Sequence, residues 1–271
     1  MPQRFLIRYS QVLELQQQQT DVILLDTRPA REFWAGHLPG ARHFDALLFS
    51  HYDTSAAGIA SLVTQYEWIF SALGITQDSQ VVVYENKSDS RAARAAWLLE
   101  LLGQRKVSVL DGGLANLPGL ALQTYVVPYA QTQFTAAFNE HVVIGFEELA
   151  HSLGKPGFRP LDTRRASEYF GEEKRAKRAG SIPGSIHRDY AQNIDAEGRF
   201  LAAGELRGIY ESLGVVPDDE VVAFCGGGAR AAHTYYALRT AGYPRVRVYT
   251  GSWGEWGNRE DLPVEQPVRA A

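Results

Sequence analysis

The sequence predicts an α/β protein made of two tandem domains of the same fold, each with a mostly parallel sheet flanked by helices. The chain has 271 residues, which is enough for two domains of ordinary size. Its two halves resemble each other with a period of about 140 residues. In each half, short apolar runs alternate with segments of helical periodicity, which is typical of βα units.

The internal repeat begins with Leu-Asp-Thr-Arg, at residues 25–28 and again at 161–164. Each copy continues to a Pro-Gly turn, written "HLPGA" in the first half and "SIPGS" in the second. Further on, "ALGITQDSQVVVYE" matches "SLGVVPDDEVVAFC". The period is too long for a solenoid unit, so it predicts two domains, 1–120 and 141–271, joined by a linker at 121–140.

The predicted elements follow the same order in both copies. The runs "DVILLD" and "FRPLD" predict a first strand, which a helical segment and the Pro-Gly turn follow. The helices "YEWIFSALG" and "ELRGIYESLG" end at glycine, a common C-terminal signal. The apolar runs "SQVVVYE" and "DEVVAFC" predict strands buried on both faces. The helices "SRAARAAWLLELLG" and "ARAAHTYYALRTAG" and the strands "KVSVLDGG" and "RVRVYTGS" complete the copies.

Composition excludes several classes of protein. A net charge of -4 argues against a nucleic-acid-binding surface as the main functional feature. No apolar run approaches the roughly 20 residues that span a bilayer, and the N-terminus has no apolar segment typical of a secretory signal. A single cysteine cannot form an internal disulfide. We therefore expect a cytoplasmic monomer with no nucleic-acid or membrane partner.

The single cysteine, Cys225, stands between a predicted strand and a predicted helix in "VVAFCGGGARAAHTYYAL". In open α/β sheets, ligands bind beyond the carboxyl ends of the strands. Three glycines let this loop curl so that successive N–H groups point inward, and the helix N-terminus adds positive potential. Arg230 adds a full positive charge. These features predict a reactive thiolate rather than an inert buried cysteine.

Two kinds of chemistry suit a thiolate in an anion-binding loop. One is phosphoryl transfer, and the other is sulfur transfer through a persulfide. The Cys-x4-Arg spacing of "CGGGAR" favours sulfur transfer, because a tetrahedral phosphate needs a wider ring of N–H groups than a single sulfur atom does.

The chain resembles the tandem-domain rhodaneses, or thiosulfate sulfurtransferases, over nearly its whole length. The resemblance rests on the Asp-x-Arg and Pro-Gly segments of both halves, on the cysteine loop, and on "GYPRVRVYTGSWGEWGN". It implies that Cys225 carries the persulfide and that Arg230 binds an anionic donor. It also implies a small anionic sulfur donor, a thiol or cyanide acceptor, no cofactor and no metal. The N–H groups expected around the sulfur, and with them the donor-binding site, belong to Gly226, Gly227, Gly228, Ala229 and Arg230.

The loop "CGGGARA" departs from both usual forms of the family. Its Cys-Gly-x-Gly start resembles the 3-mercaptopyruvate group, whereas Arg230 resembles the bacterial thiosulfate enzymes. Glu168 stands where some relatives have an arginine. Thiosulfate is the first expected donor and 3-mercaptopyruvate the alternative. A cysteine-dependent phosphatase or arsenate reductase, and a non-catalytic sulfur carrier, are further alternatives.

The first copy lacks this chemistry. Glu85 stands at the position that matches Cys225, and the loop "ENKSDSR" contains no glycine. A carboxylate there would repel anions, so we expect the first domain to be non-catalytic.

An Asp-Thr-Arg segment occurs in both copies, and it includes Arg164 as a candidate donor-binding residue. Because the non-catalytic copy keeps the matching Asp26 and Arg28, a buried pair between Asp162 and Arg164 is the favoured interpretation.

Other candidates have weaker support. The basic loop 164–178 is expected to be solvated, or else to guide a dianion towards the cysteine. For His233 we favour packing over acid–base catalysis. Trp253 and Trp256 either line the site or pack in the core.

Overall fold

The computed structural model describes residues 5–18 and 21–269, and its backbone divides into two compact units. The first unit comprises Met1–Phe49, Ser61–Asn139 and Ile194–Phe200, and the second comprises Ser50–Ala60, Glu140–Asn193 and Leu201–Ala271. Each unit contains one sheet in which every pairing of named strands is parallel, which confirms the predicted fold class. Among the described residues, no helix is long and apolar enough to cross a membrane.

The sheet of the first unit has five strands in the order β1-β5-β4-β2-β3. Its strands are β1 (Leu6–Ile7), β2 (Val22–Asp26), β3 (Arg42–His43), β4 (Gln80–Tyr84) and β5 (Val107–Leu110). The helices of this part of the chain are α1 (Tyr9–Gln17), α2 (Ala30–Ala35), α3 (Ala56–Ala72) and α4 (Ser90–Leu101).

The sheet of the second unit has four strands in the order β7-β6-β8-β9. Its strands are β6 (Phe158–Asp162), β7 (Ile186–His187), β8 (Glu220–Phe224) and β9 (Val246–Val248). Its helices are α5 (Phe146–Ser152), α6 (Ala166–Tyr169), α7 (Ala203–Ser212), α8 (Ala229–Thr240) and α9 (Ser252–Trp256).

The register of the central strands repeats in the two sheets. Asp26 pairs with Tyr84 in the first sheet, and Asp162 pairs with Phe224 in the second. Parallel strands end at the same edge of a sheet, so the Asp-Thr-Arg segment lies beside the residue that follows the central strand. In the second unit, that following residue is Cys225.

The longer strands and the helices α2–α4 and α6–α8 were predicted, whereas the helices α1, α5 and α9 and the two-residue strands β1, β3 and β7 were not. Such short strands carry no periodic signal that sequence reasoning can detect. Residues 118–139 contain no helix and, apart from an isolated bridge between His37 and Gln123, no strand pairing. The domain boundaries at residues 120 and 140 stay a prediction.

The core of the second unit explains its two tryptophans. Trp253 and Trp256 are 1% and 0% exposed, and they belong to one cluster with Val222, Phe224 and Tyr249. Trp256 donates its indole N–H to the carbonyl oxygen of Pro263 at 2.7 Å. Both rings therefore pack in the core, as one of the two interpretations predicted.

Candidate active site

The cysteine loop connects strand β8 to helix α8. Cys225 follows the last residue of the strand directly, and α8 begins at Ala229. Gly228 has a φ of +87°, which lies in the left-handed region where a side chain is unfavourable. This glycine lets the chain turn from strand to helix within four residues.

The sulfur of Cys225 is buried in this turn, with the residue 1% exposed. Gly228 donates its backbone N–H to Sγ at 3.1 Å. Burial raises the pKa of the thiol, but the charge of Arg230 and the backbone N–H groups of Ala231, Gly227 and Gly228 outweigh burial, so the net pKa lies below its usual range. The loop therefore favours the thiolate.

Ser252 supports the loop from the first residue of helix α9. The backbone N–H of Cys225 donates to Oγ of Ser252 at 3.0 Å, and the same Oγ lies 4.0 Å from Sγ. The hydroxyl of Ser252 donates its proton to the carbonyl oxygen of Tyr249 at 2.8 Å. Ser252 has a φ of +51°, the one positive φ among the described non-glycine residues. Backbone strain of this kind often occurs at functional sites.

Helix α9 approaches the loop closely because Gly254 has no side chain. The N–H groups of Trp253 and Gly254 donate to the carbonyl oxygens of Cys225 and Gly226, each at 2.9 Å. A Cβ atom on Gly254 would lie 2.1 Å from Cε1 of Tyr52 and 2.8 Å from the carbonyl oxygen of Gly226. Tyr52 belongs to the segment Ser50–Ala60 of the second unit, and its ring lies beside the loop in the wall of a cavity.

Arg230 forms a two-point ion pair with Glu168. Its Nη1 donates to Oε2 at 2.6 Å and its Nη2 donates to Oε1 at 3.0 Å. Glu168 is 4% exposed. Burial raises the pKa of this carboxyl, but the hydrogen bonds and charge of Arg230, the N–H of Arg165 and the charge of Arg164 together hold it below its usual value. Both members of the pair are therefore charged.

A cavity of about 520 Å³ lies against the loop and this ion pair. It is walled mainly by polar and charged side chains, with glycine backbone between them. The lining residues are Tyr52, Arg165, Glu168, Arg175, Tyr190, Gly226, Arg230, Gly254 and Asn258. Across the described residues, no group of three or more His, Cys, Asp or Glu side chains is arranged to hold a metal ion.

Arg164 is not among the residues that line the cavity, and its guanidinium binds Asp162 rather than Glu168. Its Nε and Nη2 donate to the carboxylate of Asp162 at 2.9 and 2.5 Å, and Nη2 also donates to the carbonyl oxygen of Gly180. Its guanidinium carbon lies 4.6 Å from the ring centroid of Trp253. These contacts favour the structural interpretation.

The first unit repeats this framework without the cysteine. Arg28 donates to the carboxylate of Asp26 and to the carbonyl oxygen of Gly36, as Arg164 does in the second unit. Glu85 turns its carboxylate into the loop, where it accepts the N–H of Ala92 at 2.8 Å. Burial of this carboxyl raises its pKa to about 8.

The raised pKa of Glu85 corrects one part of the sequence interpretation. The prediction was that a carboxylate at this position would repel anions. At neutral pH the protonated form predominates, because burial penalises the charge. The carboxyl group thus excludes an anion mainly by occupying the loop.

The structure brings most of the predicted site residues together. Cys225 and the three glycines form one loop, while Ala229 and Arg230 are the first two residues of helix α8. The N–H groups that reach the sulfur include that of Ala231, which was not among those expected. His233 is fully buried, with its ring edge-on to Tyr190 at 5.3 Å, which suits the packing role.

Sequence reasoning missed three contributors to the site. Glu168 was noted as a departure from the family but not as the partner of Arg230. Ser252 and Tyr52 gave no sequence signal, since both reach the loop from distant parts of the chain.

Known proteins share sequence similarity with both halves of the chain. The rhodanese-like domain family matches residues 9–117 and 146–259. The thiosulfate sulfurtransferase of Azotobacter vinelandii is 32% identical over 247 residues, covering 90% of this chain and 91% of the relative. The 3-mercaptopyruvate sulfurtransferase of Escherichia coli K12 is 32% identical over 249 residues, covering 90% and 88%.

Among solved structures, the anaerobic ergothioneine biosynthesis enzyme from Chlorobium limicola superposes with a TM-score of 0.85. It is 22% identical, and the match covers 98% of this chain and 71% of that enzyme. At this identity the likeness shows a shared fold alone. The two family matches and the curated relatives together establish that this chain belongs to the rhodanese-like sulfurtransferases.

Proposed function

We propose that the protein transfers a sulfane sulfur from thiosulfate, or a similar small anionic donor, to a thiophilic acceptor through a persulfide on Cys225. The observation that carries this proposal is the lowered pKa of the buried thiol, whose Sγ accepts the N–H of Gly228 at 3.1 Å. A thiolate is the reactive form of cysteine, and the surrounding N–H groups stabilise charge on a terminal sulfur.

In the first step, the Cys225 thiolate attacks the outer sulfur of thiosulfate. A new S–S bond forms to Sγ, and the S–S bond of thiosulfate breaks. Sulfite leaves with the electron pair, so a thiolate and a dianion become a persulfide anion and a dianion. No proton moves. The negative charge stays in the loop, where the N–H groups of Gly227, Gly228 and Ala231 point.

In the second step, an acceptor attacks the outer sulfur of the persulfide. Cyanide forms a C–S bond, the persulfide S–S bond breaks, and its electron pair returns to Sγ. The products are thiocyanate and the original thiolate. A thiol acceptor would react in the same way as its thiolate. The two half-reactions predict ping-pong kinetics.

A second donor, 3-mercaptopyruvate, is favoured by one specific contact. The two-point ion pair with Glu168 offsets the charge of Arg230, the cation expected to bind a dianion. With this donor a C–S bond breaks instead, and the proton of the donor thiol ends on the carbon that becomes the methyl group of pyruvate.

The rival functions have less support. A cysteine-dependent phosphatase or arsenate reductase needs a loop that surrounds a tetrahedral oxyanion, and the Cys-x4-Arg loop is short for this purpose. A sulfur carrier would form the persulfide but turn over poorly with small donors. We also propose a cytoplasmic location, because a chain with one cysteine does not depend on an oxidising compartment, and a monomer, because two similar domains already stand in tandem in one chain.

The deciding experiment is the intact mass of the protein after incubation with each donor, followed by cyanide. We expect the mass of one sulfur atom to be added to the wild type and removed by cyanide. Cys225→Ser should gain nothing. Failure of the wild type to gain sulfur from either donor, or a gain by the serine variant, would refute the proposal.

A further inference from the structure

The ring of Tyr52 lies against Gly227, the second glycine of the cysteine loop. A Cβ atom on Gly227 would lie 3.3 Å from both Cε1 and the hydroxyl oxygen of Tyr52, which is closer than most Cβ contacts in proteins. The same ring lies against Gly254 of helix α9. The φ of Gly227 is outside the left-handed region, so its conformation does not demand a glycine. The missing side chain therefore makes room for the tyrosine ring.

Tyr52 is held in this position by a tether two residues further along the chain. The backbone N–H and the hydroxyl of Thr54 donate to the carboxyl group of Glu255, at 2.9 Å to Oε1 and 2.6 Å to Oε2. Tyr249 donates its hydroxyl to the same Oε2 at 2.8 Å, and the hydroxyl oxygen of Thr54 accepts the N–H of Phe146 at 3.0 Å. Thr54 and Glu255 are each 4% exposed. Because breaking these bonds would leave buried polar groups unpaired, the segment is fixed at Thr54.

The tether and the cysteine loop are bound by consecutive residues of helix α9. Residues 252–254 form hydrogen bonds to the backbone of residues 225–226, and Glu255 follows them directly. A run of three glycines loses much conformational freedom when it is ordered, so contacts from its neighbours are needed to hold it. Helix α9 holds the first glycine of the run in this way, and the ring of Tyr52 covers the second.

We propose that Tyr52 is a positioning residue, whose ring keeps the backbone N–H of Gly227 directed at the sulfur of Cys225. The inference rests on the proposed function, because it takes Cys225 as the nucleophile. The N–H of Gly227 is one of the groups that lower the pKa of the thiol, and a glycine free to rotate would withdraw it. The ring acts by its bulk, so the hydroxyl of Tyr52 is not required. A residue from the first half of the sequence thereby shapes the sulfur site of the second.

Tyr52→Ala and Tyr52→Phe test this role in a titration of the thiolate, followed by its ultraviolet absorbance. Each variant is corrected with the same variant carrying Cys225→Ser, which removes the absorbance of the tyrosines. We expect Tyr52→Ala to raise the midpoint and Tyr52→Phe to keep that of the wild type, because phenylalanine retains the ring. Neither change alters Arg230 or Glu168, the charged pair beside the loop. The rate constant of persulfide formation should fall by about tenfold or more in Tyr52→Ala and stay unchanged in Tyr52→Phe.

Tyr125→Ala is the matched control, because Tyr125 is 68% exposed and is not among the residues that line the cavity. It should leave the midpoint and the rate constant unchanged. Tyr52 is itself 50% exposed, so its replacement leaves the buried core of the second unit intact.

Gly227→Ala, made in the wild type and in Tyr52→Ala, tests the contact itself. In the wild type the new methyl group must displace the ring, so persulfide formation should slow by about tenfold or more. In Tyr52→Ala the methyl group has room, and the second change should slow the reaction by less than about threefold. An unchanged midpoint in Tyr52→Ala, an equal shift in Tyr52→Phe, or additive effects of Gly227→Ala and Tyr52→Ala would overturn the inference.

The thiolate titration requires no sulfur donor, so it separates this inference from the proposed function. If the wild type gains sulfur from neither donor in the mass experiment, the proposed function fails, whereas the midpoints still test the role of Tyr52.

Discussion

The backbone N–H of Cys225 and the hydroxyl oxygen of Ser252 form a hydrogen bond of 3.0 Å beside the cysteine loop. Both residues are buried, and Ser252 holds a φ of +51° to make this contact. The strained residue thus anchors the backbone of Cys225. The oxygen of its hydroxyl accepts the N–H of Cys225, and the same hydroxyl donates to the carbonyl oxygen of Tyr249 at 2.8 Å.

Ser252→Ala and Ser252→Gly separate the hydrogen bond from the strain. Both variants remove the acceptor of a buried N–H, which we expect to cost about 1–2 kcal/mol of unfolding free energy. Glycine adopts a positive φ freely and alanine does not, so Ser252→Gly should be about 1 kcal/mol more stable than Ser252→Ala. Thermal unfolding of the two variants in one buffer measures this difference. Equal stability would show that the backbone strain has no measurable cost.

The thiolate of Cys225 can be titrated directly, because the chain contains no other cysteine. We expect its ultraviolet absorbance, corrected with Cys225→Ser, to appear with a midpoint below the value of about 8.5 for a free thiol. Arg230→Met with Glu168→Gln removes the cation without leaving either charge buried alone. This double variant should raise the midpoint, because the charge of Arg230 favours the thiolate. An unchanged midpoint would exclude Arg230 as a cause.

Gly254→Ala tests the close approach of helix α9 to the loop. The new methyl group would meet the ring of Tyr52 and the carbonyl oxygen of Gly226, so we expect a loss of about 1–3 kcal/mol and slower persulfide formation. Gly208→Ala is the control, because a Cβ there meets no atom within 4 Å in helix α7. The control should raise stability by up to about 1 kcal/mol. Thermal unfolding and the mass assay report both effects, and similar outcomes for the two variants would contradict the prediction.

The stability of the protein should depend on pH through Glu85. Its pKa rises on folding from an ordinary value to about 8, so the folded state binds this proton more tightly than the unfolded state. The resulting stability is present below about pH 4, declines as pH rises towards about 8, and is lost above it. Glu85→Gln should therefore remove this pH dependence and unfold at a higher temperature than the wild type above pH 8.

The comparison uses thermal unfolding of both proteins between about pH 5 and 9. The difference should grow with pH and reach at most about 4 kcal/mol. Glu205→Gln, on an exposed position of helix α7, provides the control and should show no such growth. If the unfolding temperatures of the wild type and Glu85→Gln change with pH in parallel, the pH dependence must come from another group.

The buried Asp-Arg pairs predict matching mutational costs in the two copies. Arg164→Met leaves Asp162 buried without its partner, and Arg28→Met does the same to Asp26. Each should cost about 3–5 kcal/mol of unfolding free energy. Arg207→Met, in an exposed pair, should cost less than about 1 kcal/mol. A small effect of Arg164→Met on stability, together with a large rise in the KM of the donor, would instead indicate a donor-binding role.

The sequence was sufficient for the parts of the site that are local in the chain. Cys225 follows an apolar strand, three glycines form the turn, and Arg230 lies in the first turn of the next helix. Periodicity and glycine positions report such strand–turn–helix units directly. The repeat also predicted the shared frame, because Asp26 and Arg28 reappear as Asp162 and Arg164 with the same hydrogen bonds.

The rest depended on contacts between distant residues, which periodicity does not report. Glu168 and Arg230 are 62 positions apart, and their side chains meet because helices α6 and α8 come together in the folded second unit. Tyr52 lies in the first half of the sequence, yet the segment Ser50–Ala60 folds with the second unit. Ser252 could not be singled out, since its role depends on a positive φ that serine rarely adopts.

The paired frame of Asp26 with Arg28 and of Asp162 with Arg164 has a consequence for how such proteins diverge. In each copy the arginine of the pair also donates a hydrogen bond to a backbone carbonyl oxygen, that of Gly36 in the first copy and that of Gly180 in the second. None of these hydrogen bonds involves the residue that follows the central strand, which is Glu85 in the first copy and Cys225 in the second. A tandem protein of this kind can therefore change the residue at this position in one half with little loss of folding stability. The two halves then come under different sequence constraints.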